Sequence, residues 1–270
     1  MAGNSSAQGA PGGRGVGPRK GQCLAFSSAL PLEMPRLAPM ILLRTLPMID
    51  FAVARRLMVD GQVRTSDVTD LRLIEAMLEL PRELFLPGDK TALAYLDLDL
   101  PVTEGGEGAP VRRLLKPMVL AKLIQAAEVG EPDHVLDVGC ASGYSSAVLA
   151  RLARTVVALE QDPSLARLAS ANLLAVGAGN ATVAAGPLTE GWPAAAPYDV
   201  IFLNGAVEVV PRALLRQLKE GGRLVCVLGR EPPGKATLYR AVGQQVSGRP
   251  VFDASASLLP GFAEPPVFVF

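Results

Sequence analysis

The feature that most constrains the fold is an alternation of strand-like and helix-like segments between His134 and Gly229. Five short apolar runs have the length and composition of buried strands: HVLDVG, TVVALE, ATVAAG, YDVIFLN and GGRLVCVLG. In the last of these runs, Gly221 and Gly222 are predicted to form a turn ahead of the strand. Segments with helical spacing separate most of them, namely SGYSSAVLARLA, SLARLASANLLAVG and PRALLRQL. This alternation predicts an α/β fold, with a mostly parallel sheet and helices on both faces. With 49% hydrophobic residues, the chain can bury a substantial core.

The region ahead of this core, residues 49–131, is predicted to be a helical subdomain. DVTDLRLIEAMLEL has apolar residues at helical spacing, with Ser66 or Asp67 available as the N-cap and Pro81 at its end. A second helix, MVLAKLIQAAEVG, opens after Pro117, which is a favoured residue at the first helical position. Its composition is mostly apolar, so we expect it to be largely buried.

The remaining boundaries follow from changes in composition. Residues 132–232 are predicted to form a Rossmann-like core, and residues 233–270 lack helical periodicity and are predicted to add strands at the sheet edge. Residues 1–48 are rich in Gly, Ser and Pro and are predicted to be a disordered tail. Two explanations of this tail stay open: an organelle-targeting or regulatory segment, or a start assigned too early, with the true start at Met34, Met40 or Met48.

Composition excludes several classes of function. The 26 basic and 26 acidic residues give zero net charge, so the field that draws proteins to nucleic acid or anionic membrane is missing. Three scattered cysteines and one histidine do not match the common zinc spacings or a disulfide framework. The sequence also lacks the ~18 uninterrupted apolar residues of a membrane span. We therefore expect a cytoplasmic protein without a metal.

The loop in VLDVGCASGY follows the first strand of the core, where α/β sheets commonly bind ligands. Gly139 and Gly143 allow the backbone to turn and approach a ligand, and the helix beginning near Ser142 offers free N–H groups. The dinucleotide pattern G-x-G-x-x-G is not met, because Ala141 stands at its second glycine. The Gly-Lys-Ser/Thr ending of a P-loop is absent as well.

Two acidic residues indicate which ligand the loop binds. Asp137, at the end of the first strand, would repel a pyrophosphate but suits a positive group, such as the amino group or sulfonium of S-adenosylmethionine. Glu160 ends the next strand, where an acid can accept hydrogen bonds from ribose hydroxyls. The alternative is that the glycines only serve a tight turn and that Glu160 is a solvated charge. His134 has no partner nearby in sequence and is predicted to be structural.

Over about residues 50–270 the chain resembles the protein-L-isoaspartate O-methyltransferase family. The shared blocks, in the family's order, are RRLMVDGQVR, LIEAMLELPRELFLP, AYLDLDLPV, KPMVLAKLIQ, VLDVGCASGYSSAVLA, GWPAAAPYDVIF and LLRQLKEGGRLV. The resemblance implies an enzyme that uses S-adenosylmethionine to esterify the carboxylate of isoaspartyl residues in damaged proteins. A succinimide then forms and partly reopens as normal aspartate.

The resemblance also implies a cofactor site. Around the methionine moiety it places Asp137, Gly139, Cys140, Ala141, Gly143 and Tyr144, and on the ribose it places Glu160.

Two departures from the family pattern concern the substrate and the adenine. Leu115 stands where the family has a serine that faces the substrate carboxylate, and Pro187 stands where it has an acid near the adenine. Arg112 and Arg113 are predicted to bind the substrate carboxylate in place of the serine, since a charge-assisted pair is a strong contact. The alternative is that the run R-R-L-L-K is a solvated basic strip.

Three hypotheses follow for the function. The first is an isoaspartyl methyltransferase acting on damaged proteins or peptides. The second is a methyltransferase of the same fold with another substrate, and the third is a non-catalytic descendant that binds a partner or senses the cofactor. Asn204 ends a strand, but the sequence NGAV does not match the Asn/Asp-Pro-Pro-aromatic pattern of amino-group methyltransferases.

Overall fold

The centre of the computed structural model is a seven-stranded sheet. The structure describes residues 49–106, 111–229, 233–243 and 245–264. The tail predicted for residues 1–48 lies outside the described residues. Within the described part of the chain, no helix has the length and apolar character needed to cross a membrane.

The strands confirm the predicted alternation and the predicted edge. In chain order they are β1 (Leu100–Pro101), β2 (Arg113–Leu114), β3 (His134–Val138), β4 (Thr155–Glu160), β5 (Ala181–Ala185), β6 (Tyr198–Val207), β7 (Leu218–Leu228), β8 (Gly234–Val242) and β9 (Gln245–Ala254). The large sheet has the order β5-β4-β3-β6-β7-β8-β9. Strands β3 to β7 pair in parallel, whereas β8 and β9 add antiparallel edge strands. Strands β1 and β2 form a separate antiparallel pair.

Helices lie on both faces of the sheet, as predicted, but most of them lie on one face. They are α1 (Phe51–Met58), α2 (Leu71–Glu79), α3 (Pro117–Ala126), α4 (Tyr144–Leu152), α5 (Pro163–Ala175) and α6 (Arg212–Leu215). The apolar residues of α2 to α5 pack in one core cluster on one face of the sheet, and of the described helices only α6 packs on the other face. Prolines explain this difference, because Pro187, Pro193 and Pro197 interrupt the connection between β5 and β6 and leave only short 3-10 turns.

Helix α2 begins at a different residue from the one predicted. The Oδ1 atom of Asp70 accepts hydrogen bonds from the backbone N–H groups of Arg72 and Leu73, at 3.0 and 3.4 Å. The prediction of Ser66 or Asp67 as the N-cap is therefore wrong. Asp67 has φ of 62°, a left-handed conformation, and it ends a preceding 3-10 turn rather than starting the helix.

The glycine pair at Gly221 and Gly222 also has a different role. We expected a turn ahead of a strand, but β7 runs through both glycines from Leu218. Gly221 has φ of 73°, and the pairing register between β6 and β7 shifts after Tyr198. A Cβ atom on Gly222 would lie 2.8 Å from the carbonyl oxygen of Lys219. The glycines thus allow an irregularity within the strand and do not end it.

Candidate functional site

The candidate site lies where the strand order reverses, between β3 and β6. Strands β3, β4 and β5 extend the sheet to one side, and the chain then returns to place β6 on the other side of β3. At such a point the loops after neighbouring strands separate and leave a crevice at their carboxyl ends. Asp137, Glu160 and Asn204 meet there, and their exposed fractions are 0%, 0% and 4%.

The loop after β3 takes the shape that its glycines predicted. Gly139 and Gly143 have φ of 79° and 97°, and Ala141 between them has φ of 53°. An alanine in the left-handed region costs about 1 kcal/mol, so the surrounding contacts must hold it. The backbone N–H of Ala141 donates to Oε2 of Glu160 at 2.8 Å, which ties the loop to the end of β4.

Asp137 is a buried acid whose two carboxylate oxygens differ in their hydrogen bonding. Its Oδ2 atom accepts hydrogen bonds from the hydroxyls of Ser145 and Ser146, both at 2.6 Å. Its Oδ1 atom has no hydrogen-bond partner within the described residues. Burial raises the pKa of Asp137 to about 6, and the two serine hydroxyls oppose part of that rise.

Asn204 lies on β6 just after the pairing with β3 ends, and it adds a second acceptor to the crevice. Its Nδ2 group donates to the Ser145 hydroxyl at 2.7 Å, while its Oδ1 atom is buried and unpaired among the described residues. Buried polar atoms without partners are rare, and two of them in one crevice fit a ligand that brings hydrogen-bond donors. The roles of Ser145 and Ser146 were missed from the sequence; their place in the first turn of α4, directly after the glycine loop, was the signal available.

Both carboxylate oxygens of Glu160 accept hydrogen bonds from neighbouring groups. Its Oε1 atom accepts hydrogen bonds from the backbone N–H groups of Gln161 and Asp162, at 2.9 and 3.2 Å. The same atom forms a salt bridge of 3.1 Å with Nη1 of Arg112. Because Glu160 is buried and holds both the loop and this arginine, the alternative of a solvated strand-end charge is wrong.

Arg112 and Arg113 point in different directions. The Arg112 side chain enters the crevice, where its Nη2 atom also donates to the carbonyl oxygen of Gly139 at 2.9 Å. Only 6% of Arg112 is exposed, so the alternative of a solvated basic strip is wrong for this residue. Arg113 is half-buried and donates from Nη1 to the carbonyl oxygen of Asp99 at 3.2 Å. Both guanidinium groups are therefore held by the protein in this conformation.

Three other residues named from the sequence have side chains that serve the fold. Cys140 is fully buried, and burial together with Asp137 raises the pKa of its thiol well above the usual value. The ring of Tyr144 packs edge-on against Phe85, with 5.3 Å between ring centroids. His134 is structural, as predicted: its Nδ1 and Nε2 atoms form hydrogen bonds with the Thr155 hydroxyl at 2.7 Å and with the backbone carbonyl oxygen after β5 at 2.9 Å.

Arg82 is a fully buried arginine that sequence reasoning missed. It donates from Nη2 to the carbonyl oxygen of Leu115 at 2.8 Å and from Nε to that of Ala94 at 2.9 Å. It thereby fixes the segment that carries Arg112. The Leu115 side chain itself is 4% exposed and belongs to the hydrophobic core. Pro187, the second departure, begins a short 3-10 turn.

A glycine loop between two strand-end acids, at the switch point of this sheet, defines a Rossmann-like methyltransferase. Comparison with known proteins makes the assignment specific. The family model described as protein-L-isoaspartate(D-aspartate) O-methyltransferase matches residues 55–248. The chain belongs to this family of S-adenosylmethionine-dependent methyltransferases.

Curated relatives agree with the family model. The protein-L-isoaspartate O-methyltransferase of Ignicoccus hospitalis is 39% identical over 191 residues, which cover 70% of this chain and 85% of the relative. The enzyme of the same name from Synechococcus is 40% identical over 182 residues, covering 67% of this chain and 72% of the relative.

Solved structures show the same fold. A protein-L-isoaspartate O-methyltransferase structure with 26% identity has a TM-score of 0.68 and covers 77% of this chain and 66% of that chain. A Plasmodium falciparum protein described as a putative protein-L-isoaspartate O-methyltransferase in complex with S-adenosyl-L-homocysteine has a TM-score of 0.63 at 16% identity. That match covers 76% of this chain and 97% of the other, and it supports the fold alone.

Proposed function

We propose that this chain transfers a methyl group from S-adenosylmethionine to the carboxylate of isoaspartyl residues in damaged proteins or peptides. The observation that carries the proposal is a pair of buried acceptors beside the glycine loop, Asp137 Oδ1 and Asn204 Oδ1, that have no partner in the described part of the chain. A cationic group with several donors, such as the amino group of a methionine moiety, satisfies both. The family to which the chain belongs supports the same ligand.

The residues around the loop fit this cofactor in chemical type. Asp137 and Asn204 would hold the amino group, the turn at Gly139 and Gly143 allows close approach of the backbone, and Glu160 would accept the ribose hydroxyls. Cys140, Ala141 and Tyr144 contribute through their backbone and their place in the loop. When bound, S-adenosylmethionine supplies an electrophilic methyl group.

The protein's part in the reaction is to position a carboxylate. An isoaspartyl carboxylate is already ionised at neutral pH, so it needs no general base, and orientation supplies most of the rate enhancement. The crevice beside the loop is lined by Arg112, Arg113, Leu115, Asn204 and Leu259. Arg112 and Arg113 are the cations that would orient the substrate, since Leu115 has no polar atom in its side chain.

The experiment that tests this function uses the purified full chain with methyl-labelled S-adenosylmethionine. One synthetic peptide contains an isoaspartyl residue, and the matched control peptide contains normal aspartate at the same position. We expect label in base-released methanol from the isoaspartyl peptide alone. Equal labelling of both peptides would contradict the proposed specificity.

The buried Leu115 favours one second candidate, a methyltransferase of the same fold with another substrate. Folded protein that binds S-adenosylhomocysteine but labels neither peptide would support that candidate. Folded protein that binds no S-adenosylhomocysteine would contradict both.

A further inference from the structure

Two side chains of this protein fill the crevice where the cofactor is proposed to bind. A Cβ atom on Gly139 would lie 2.8 Å from Cδ2 of Leu259 and 2.9 Å from Nη2 of Arg112. A Cβ atom on Gly205, which lies on β6, would be 2.8 Å from Cγ of Leu259. The cavity beside them, which Arg112, Gly205 and Leu259 help to line, has a volume of about 10 Å³, which is the space of a single water molecule. A nucleoside-sized ligand therefore needs these side chains to move.

The guanidinium of Arg112 occupies the hydrogen-bonding position assigned to the cofactor's ribose. It binds Oε1 of Glu160 on one side and the Gly139 carbonyl oxygen on the other, so it joins the two halves of the site. The ribose hydroxyls would need the same carboxylate, because Glu160 is the buried acid at the end of β4. Arg112 and a ribose thus compete for one acceptor.

We propose that Arg112 is a latch on the cofactor site: it holds Glu160 in the unloaded protein and is displaced when the cofactor binds. This inference rests on the proposed function, since it assumes that the cofactor occupies this crevice. Leu259 moves with it, because both side chains lie over Gly139.

Release of the latch does not leave Glu160 without partners. Three backbone N–H groups, from Ala141, Gln161 and Asp162, still donate to the carboxylate. The free-energy cost of separating this buried carboxylate from its cation is therefore reduced. The latch lowers the apparent affinity for the cofactor in proportion to the fraction of molecules in which it is open.

The first test is calorimetric titration of the full chain with S-adenosylhomocysteine. If the latch is closed in about nine molecules of ten, Arg112→Ala tightens binding about tenfold. Arg249→Ala, which removes an exposed arginine on β9, is the matched control and should leave the affinity unchanged. Asp137→Asn, a nearly isosteric change at the proposed amino-group contact, should weaken binding.

The variants separate failure of the latch from failure of the proposed function. Weaker binding by Asp137→Asn together with unchanged or weaker binding by Arg112→Ala would overturn the latch and leave the cofactor site standing. Equal binding by wild type and Asp137→Asn, or no binding by any form, would overturn the proposed site and the latch with it.

A second measurement does not depend on folding of the Arg112→Ala variant. A crystal structure of the wild-type chain with S-adenosylhomocysteine should show the Arg112 guanidinium more than a hydrogen-bond length from Glu160. An intact contact between Arg112 and Glu160 in the loaded protein would refute the latch directly.

Discussion

At the scale of the residue, the site depends on the charge of Asp137. Burial raises the pKa of this carboxyl to about 6, so a substantial fraction is protonated just below neutral pH. The proposed ligand group is a cation, and it binds the ionised form of Asp137. Bound proton and bound ligand therefore exclude each other, and the affinity for the cofactor must rise as the pH rises through about 6.

This competition predicts a measurable pH dependence. The affinity for S-adenosylhomocysteine should fall about tenfold between pH 7.5 and pH 5, because about one Asp137 carboxyl in eleven is ionised one unit below its pKa. Calorimetric titration across this range measures the effect. Asp137→Asn should bind more weakly at pH 7.5 and lose most of the dependence; a variant that kept the full dependence would show that another group titrates.

At the scale of the element, one side chain links two helices of the N-terminal region. The Oε1 atom of Gln125, on α3, accepts hydrogen bonds from the backbone N–H groups of Thr69 and Asp70 at 2.7 and 3.0 Å. Its Nε2 atom donates to the carbonyl oxygen of Asp67 at 2.9 Å. Gln125 thus fixes the turn from which α2 begins.

Removal of this link should lower stability. Gln125→Ala is expected to reduce the free energy of unfolding by about 1 to 2 kcal/mol, because three backbone groups lose a partly buried partner. Urea denaturation followed by circular dichroism measures the change. The control Gln245→Ala alters an exposed residue of β9 and should stay within about 0.5 kcal/mol of wild type. Equal effects of the two variants would show that the link contributes nothing specific.

The elements that sequence reasoning predicted well are those set by local pattern. The apolar runs correctly predicted the strands of the sheet, and α3 begins at Pro117 as expected. The errors came where a distant contact decides between local options. Asp70 caps α2 because Gln125 holds the preceding turn, and Gly221 lies within a strand because β6 pairs with Leu218 and Arg223 on either side of it. Neither partner is adjacent in sequence.

At the scale of the whole molecule, the same distinction applies to the site. Asp137, Gly139 and Glu160 were predicted because each stands at the end of a strand, and parallel strands bring their carboxyl ends together. The contact of Arg112 with Glu160 joins residues 48 positions apart and depends on where Arg112, directly ahead of β2, lies relative to the end of β4. No periodicity or motif encodes that direction, so the contact of Arg112 with Glu160 could not be predicted from the sequence.

The site draws on distant parts of one compact unit, Pro47–Phe270, so ligand binding should stabilise that unit as a whole. S-adenosylhomocysteine at a hundred times its Kd adds about 2.7 kcal/mol, provided that it binds the folded state alone. For a unit of this size that corresponds to a rise in Tm of about 5 to 10 °C.

Differential scanning calorimetry with and without S-adenosylhomocysteine measures this shift and also resolves the number of transitions. We expect the main transition to move as one, and Asp137→Asn at the same ligand concentration to show a smaller shift. The crevice is built from β3, β4 and β6 together with Arg112 and Leu259, which lie far apart in the chain. If S-adenosylhomocysteine raises the midpoint temperature of only one part of the thermal transition, these parts of the chain unfold separately. The site would then not couple their unfolding.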